Sequence, residues 1–145
     1  WEADIIAGER KAQSGRFRPI FPLTLWPFRL GLALGKPKHQ PCVVDEPLDE
    51  GDALGPLQVV HIPGHSPGHL AFYWPERRVL VAGDAIATWP SFGAGWPGFN
   101  LNEDQHRESI RRLAAFDANV VGVGHGSPIT EHAADRVQEL AEAGR

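Results

Sequence analysis

Three histidines stand four residues apart in His61-Ile62-Pro63-Gly64-His65-Ser66-Pro67-Gly68-His69. On one face of a helix that spacing would present three imidazoles to a metal ion. Pro63, Gly64, Pro67 and Gly68 exclude the helix, because proline removes a backbone donor and clashes with the preceding turn while glycine raises the entropic cost of helical backbone. The segment reads instead as a strand end followed by a tight loop, so the three side chains diverge and at most one or two reach a common metal. Two further runs share this design. Val79-Leu80-Val81-Ala82-Gly83-Asp84 is an apolar strand ending in an acid, and Val120-Val121-Gly122-Val123-Gly124-His125 is one ending in a histidine. Neighbouring strand ends share one edge of a sheet, so His65, Asp84 and His125 are expected within about 10 Å of one another, the span of a pair of metals and their ligands. Nitrogen and carboxylate donors together suit Zn²⁺, and also Fe or Mn, and a carboxylate can bridge two such ions.

The remaining histidines read differently. His69 opens the next strand and reads as a residue packed beside a site rather than a ligand. His61 alternates along a strand, His39 lies in a Lys-Pro-Lys-His loop, and His106 and His132 fall in helical stretches. All four read as structural or solvated.

The elements that must position these groups follow from pattern and punctuation. Four strand candidates, residues 43–48, 57–62, 70–74 and 78–82, are separated by turns such as Glu50-Gly51-Asp52 and Pro75-Glu76-Arg77, the composition of hairpin connections. Residues 3–8 read as a further buried strand, partly β-branched and closed by Gly8. Pro19, Pro22, Pro27 and Pro37 leave room for at most one helix in residues 16–38, around 28–34. Asn102 is a cap for a helix opening with Glu103-Asp104. His106, Ile110, Leu113, Ala114 and Asp117 follow helical spacing, with Glu103/Arg107 and Glu108/Arg112 as i,i+4 pairs on the wet face. Residues 119–124 form the last strand, and Ala133, Ala134, Val137, Leu140 and Ala141 mark a closing amphipathic helix. Residues 89–99, rich in Trp, Phe, Gly and Pro, follow the acid. They read either as a lid touching substrate over the cleft mouth or as ordinary Pro-stiffened packing.

Taken in order, Pro63-Gly64-His65-Ser66-Pro67-Gly68-His69, a hairpin, Val81-Ala82-Gly83-Asp84-Ala85 and Val123-Gly124-His125-Gly126-Ser127-Pro128 resemble the later metal-ligand motifs of the metallo-β-lactamase superfamily, in its glyoxalase II-like hydrolase branch. Order, separation and strand context agree over about residues 43–143, with residues 1–42 fitting less specifically. The resemblance implies an α/β fold, the αβ/βα sandwich, of which this chain supplies mainly the second αβ half. It also implies two divalent metals, zinc foremost, in the cleft between halves. By motif position His65 holds the first metal, Asp84 bridges both and His125 holds the second. The activity implied is hydrolysis of an ester, thioester, lactone or phosphoester of a small-molecule substrate by metal-generated hydroxide, with no Ser or Cys nucleophile.

The departure from that pattern is as informative. The His-x-His-x-Asp-His motif, which supplies the remaining ligands, is absent, and no His-x-His occurs in the 145 residues. The chain opens Trp1-Glu2-Ala3 and contains no methionine. Both observations are met by one expectation, that residues 1–145 are the C-terminal part of a domain whose N-terminal half is its missing partner. Alone, such a chain is expected to bind metal weakly and to hydrolyse nothing appreciably. No Cys-Gly-Arg follows Gly83-Asp84, and with 20 residues after His125 the extra helical domain of glyoxalase II is not expected, which favours a generic hydrolase over a thioesterase. Two rivals stand beside this reading: a metal-free sandwich-fold scaffold without catalysis, and a mononuclear metal protein using the same three residues.

Composition sets the frame. With 14 Lys+Arg against 18 Asp+Glu, a formal charge of -4 and 42% hydrophobic residues, the chain suits one soluble domain. No basic block points to nucleic acid or to a membrane surface. Thirteen prolines and 16 glycines imply many tight turns. The single cysteine, Cys42, cannot form an internal disulfide and reads as a small buried apolar residue of a reducing compartment. No run of 18 apolar residues and no secretion signal occurs, so a cytoplasmic location is expected. The central strands are apolar on both faces while two helices can cover only one, so an apolar sheet face is expected to lie open.

Overall fold

Turn residues cut the second half of the chain into short runs whose β-branched and aromatic side chains favour extended backbone. The computed structural model describes residues 2–11, 26–35, 40–96 and 98–144, and it assembles these runs into one five-stranded sheet in chain order. The strands are β1 (Ala53–Leu54), β2 (Leu57–His61), β3 (Leu70–Trp74), β4 (Val79–Ala87) and β5 (Val120–His125). The helices are α1 (Ala3–Ile6), α2 (Trp26–Leu34), α3 (Glu103–Leu113) and α4 (Ala133–Ala143). β1 through β4 pair antiparallel, and β5 runs parallel to β4. Parallel neighbours require a crossover, which the aromatic loop and α3 provide.

One face of the sheet and the two later helices make the core. Ala71, Leu80, Ala82 and Val121 pack with Ile110 and Leu113 of α3 and with Val137 and Ala141 of α4. The buried residues of α3 are His106, Ser109, Ile110 and Leu113, the i, i+3, i+4, i+7 stripe of a helix lying on a sheet. Its start is fixed by Asn102, whose side chain accepts from the backbone amides of Asp104 and Gln105. On the opposite sheet face the register aligns Val59, Phe72 and Val81. Val59 is buried there, whereas Val81 is 43% exposed.

Several expectations are corrected. Residues 3–8 are not a strand: Ile5 and Ile6 donate to the Glu2 carbonyl and Ala7 to Ala3, making the short helix α1, none of whose residues is buried. Local hydrogen bonds outweigh the β preference of two adjacent isoleucines. Residues 43–48 form no strand either, since Pro47 lacks a donor and Asp45-Glu46 faces water; the sheet edge is taken by β1. Cys42 is exposed rather than buried, its amide bonded to the Ile6 carbonyl. The wet-face pairs of α3 are Asp104–Arg107 and Glu108–Arg111, three apart, and Arg112 turns away to Glu50. The helix expected around 28–34 is α2; the rest of residues 16–38, and His39, lie outside the described residues. Among the described residues no helix is long and apolar enough to cross a membrane.

Candidate metal centre

His65 projects from the loop joining β2 to β3, and α3 holds that loop. The Asn102 amide donates to the Gly64 carbonyl (2.9 Å), Leu101 to that of His65 (3.2 Å), and the Ser109 hydroxyl to that of Pro63 (2.7 Å). Arg112 donates to the His61 carbonyl and Glu50 accepts from the His61 amide, so the same helix also clamps the end of β2. Gly64 permits the contact: its φ is +133°, and a Cβ there would lie 2.4 Å from the His106 Cα.

Asp84 does not end its strand as the sequence suggested. β4 continues to Ala87, and the pairing with β5 slips on either side of Gly83, which sits at φ +53°. The irregularity turns Asp84 toward the edge where β5 terminates. β5 makes room through Gly124, where a Cβ would fall 2.0 Å from Asp84 Oδ1. His125 is the last residue of β5, and Trp96 stacks on its imidazole with centroids 3.9 Å apart and planes inclined 19°. Trp96 is in turn fixed by its indole N–H, which donates to the Trp89 carbonyl (2.7 Å), and by Phe99 against its edge. The aromatic loop thus supplies packing for a site residue through Trp96, while Trp89 stays 52% exposed.

The three residues singled out from the sequence therefore converge. His65 Nε2 lies 3.5 Å from Asp84 Oδ2, and His125 Nε2 lies 3.3 Å from Asp84 Oδ1. Each carboxylate oxygen faces a different imidazole. For a tetrahedral ion with metal–nitrogen and metal–oxygen bonds of about 2.0–2.2 Å, two ligands of one metal stand roughly 3.3–3.5 Å apart. Both N···O separations match that edge, so the donor set fits one nitrogen and one oxygen on each of two ions. Among the described residues no group of three or more His, Cys, Asp or Glu side chains could hold an ion by itself.

Two histidines, His106 buried and His69 half-buried, support the loop from below. His69 packs its ring 5.5 Å from that of His65, close over Gly83, where a Cβ would meet its Nε2 at 2.9 Å. Burial, reinforced by the neighbouring His65, lowers its pKa to about 4. His106 is almost fully buried, its Nε2 3.1 Å from the Ala94 carbonyl oxygen, and burial lowers its pKa as well. Both rings are thus neutral in the fold near pH 7 and take up protons more readily once unfolded. Stability is accordingly full above the ordinary histidine value of about 6.5 and falls as pH drops toward about 4. Unfolding free energies from urea titrations with chelator at about pH 8 and about pH 5 are expected to differ by up to about 2 kcal/mol for His69 alone. Equal values would contradict the burial argument.

Sequence reasoning missed Asn100, Trp96 and Gly124. Asn100 and Trp96 sit in an irregular loop with no periodicity to distinguish them. Gly124 carried a signal, a glycine directly before the histidine that closes an apolar strand.

Comparison with known proteins agrees with this architecture. The profile of the metallo-β-lactamase superfamily matches residues 6–125, and the chain belongs to that superfamily. A metallo-β-lactamase family protein from Thermus thermophilus, TTHA1429, superposes with a TM-score of 0.56 at 32% identity, over 85% of this chain and 46% of that one. TTHA1623, solved in a di-iron-bound form, gives 0.55 at 29% identity, over 81% and 61%. Among sequences, the hydroxyacylglutathione hydrolase of Rhizobium meliloti is 30% identical over 105 residues, 67% of this chain and 40% of the relative. A probable metallo-hydrolase of Bacillus subtilis, YflN, is 35% identical over 80 residues, 47% and 30%. The matched part of the chain spans less than half the length of these curated relatives. The αβ/βα sandwich expected from the motifs is the fold of these structural neighbours, and the sheet with α3 and α4 on one face is one of its α/β layers.

Proposed function

We propose that this chain carries one side of a dinuclear hydrolytic centre, with His65 on one metal, His125 on the other and Asp84 bridging them. The observation that carries the reading is the Asp84 carboxylate, set between two imidazoles with one oxygen 3.5 Å from His65 Nε2 and the other 3.3 Å from His125 Nε2. Zinc fits these donors, as do iron and manganese. When bound, such a metal pair supplies hydroxide at neutral pH and polarises the substrate oxygen. The chain's own residues orient the donors. The loop around Gly64 sets His65, the Gly83 irregularity aims Asp84, and Trp96 fixes the His125 ring. The substrate class is a small molecule with an ester, thioester, lactone or phosphoester bond. The remaining ligands belong to a His-x-His-x-Asp-His segment not found in these 145 residues, in the N-terminal half of the same domain. The net charge of -4 and the single exposed cysteine fit a cytoplasmic protein with neither nucleic acid nor membrane as partner.

Elemental analysis after dialysis tests the reading. The chain alone is expected to retain little zinc, because neither metal has the three protein ligands of a catalytic site. Adding the segment that bears the missing motif, in trans or in cis, is expected to raise retention to two equivalents and to bring hydrolysis of an ester and lactone panel. A complemented protein that holds no metal would favour the metal-free scaffold; tight stoichiometric zinc in the chain alone would favour the mononuclear protein.

A further inference from the structure

We propose that Asn100, oriented by Glu103, is a positioning residue that decides which nitrogen of His65 carries the proton. The inference builds on the reading of His65 as a ligand through Nε2. Asn100 is 6% exposed and lies between the aromatic loop and α3. Its amide Nδ2 donates to Glu103 Oε2 at 3.2 Å. An ionised carboxylate only accepts hydrogen bonds, so the nitrogen end of the amide must face Glu103 and the oxygen end must face the other way. That oxygen stands 3.3 Å from His65 Nδ1. A carbonyl oxygen also only accepts, so Nδ1 is the protonated nitrogen. The consequence falls on the far side of the ring. In neutral His65 the lone pair is left on Nε2, the atom that faces Asp84 Oδ2 and the only ring nitrogen able to reach the position between them.

Influence passes in one direction, from the charge to the ligand atom. Glu103 occupies the first turn of α3, where the helix dipole favours a negative charge. That charge sets the amide, and the amide sets the tautomer. Without it, an exposed histidine favours the opposite form, with the proton on Nε2, which would have to move before a metal could bind. Asp84 Oδ2 is the rival acceptor for a proton on Nε2, at 3.5 Å against 3.3 Å between Asn100 Oδ1 and Nδ1. His125 has a stacked indole instead, so the two ligand rings are held by different means.

Nuclear magnetic resonance of the ¹⁵N-labelled chain, with chelator present and at about pH 9 where imidazole is neutral, reads the tautomer directly from long-range proton–nitrogen correlations. His65 signals are assigned by their loss in His65→Gln. The expected result is a protonated Nδ1 and an unprotonated Nε2. Asn100→Leu and Glu103→Ala should each shift His65 toward the Nε2-protonated form while backbone amides in β3, β4 and α4 stay in place, whereas Asn100→Asp, which keeps an acceptor, should preserve the original tautomer. Glu103→Ala keeps the test available if Asn100→Leu does not fold. A proton on Nε2 in the unsubstituted chain, or a tautomer indifferent to both substitutions, would overturn the proposal. Zinc titration of the same samples after chelator removal reports on the ligand reading separately, because the tautomer is measured without metal.

Discussion

Gly124→Ala is expected to dismantle the candidate centre while leaving most of the fold standing. The added methyl would fall 2.0 Å from Asp84 Oδ1 and 2.9 Å from the Asp84 backbone nitrogen, well inside van der Waals contact. Gly124 lies on β5 at an ordinary φ, so alanine meets no backbone strain there. The contact with the backbone nitrogen requires β5 and β4 to ease apart slightly, and the closer collision is relieved by the freest mover, the Asp84 carboxylate, which is 39% exposed. Rotating it away separates the two oxygens from the two imidazoles at once. Affinity for zinc, followed by shifts of the His65 and His125 resonances, should fall by about 10- to 100-fold, the range seen when ligand orientation is lost. The accompanying cost in stability should be about 1–3 kcal/mol, that of forcing one methyl into a packed site. Gly122→Ala is the control: two residues away on the same strand, its nearest neighbours would be 3.8 Å from the new Cβ, and zinc binding should be unchanged. Equal zinc affinity in the Gly124 and Gly122 variants would refute the proposed role of Asp84.

The largest loss of stability is expected from Gly64→Ala. Two penalties coincide at this position. The φ of +133° is one that residues with a side chain rarely adopt, and the Cβ would lie 2.4 Å from both the Cα and the amide nitrogen of His106. Helix backbone cannot yield as a flexible side chain can. Strain of about 1–3 kcal/mol and overpacking of a similar size add to about 2–6 kcal/mol, a large share of the roughly 5–15 kcal/mol that stabilises a typical domain. The loop would lift from α3, with loss of the hydrogen bonds from Leu101 and Asn102, and His65 would go with it. Gly51→Ala separates the two causes, because Gly51 also has positive φ (+86°) but nothing within 4 Å of a new Cβ. It should cost about 1 kcal/mol. Urea denaturation followed by circular dichroism makes the comparison, and similar midpoints for the two variants would show that contact with α3 contributes nothing.

The sequence alone determined which side chains could do the chemistry, because that information is local. A histidine among prolines and glycines, an acid after an apolar run and a histidine at the end of another each announce a strand terminus or tight loop within a few residues. Four of the five strands, and helices α3 and α4 with the Asn102 cap, were legible for the same reason: alternation, helical spacing and capping are short-range signals. Tertiary structure decided what depends on contacts distant along the chain. Residues 3–8 and 43–48 had strand-like composition but no partner strand, so hydrogen bonds to near neighbours and exposure of Asp45-Glu46 prevailed. Asp84 lies within β4 rather than at its end because the pairing with β5, a strand far along the chain, resumes beyond the slip at Gly83 and reaches Ala87. Asn100, Trp96 and Gly124 acquired their roles only when folding brought them beside His65, His125 and Asp84. A hydrogen bond, a stacked ring and an empty volume are properties of pairs of residues, and no residue type read singly reveals its partner.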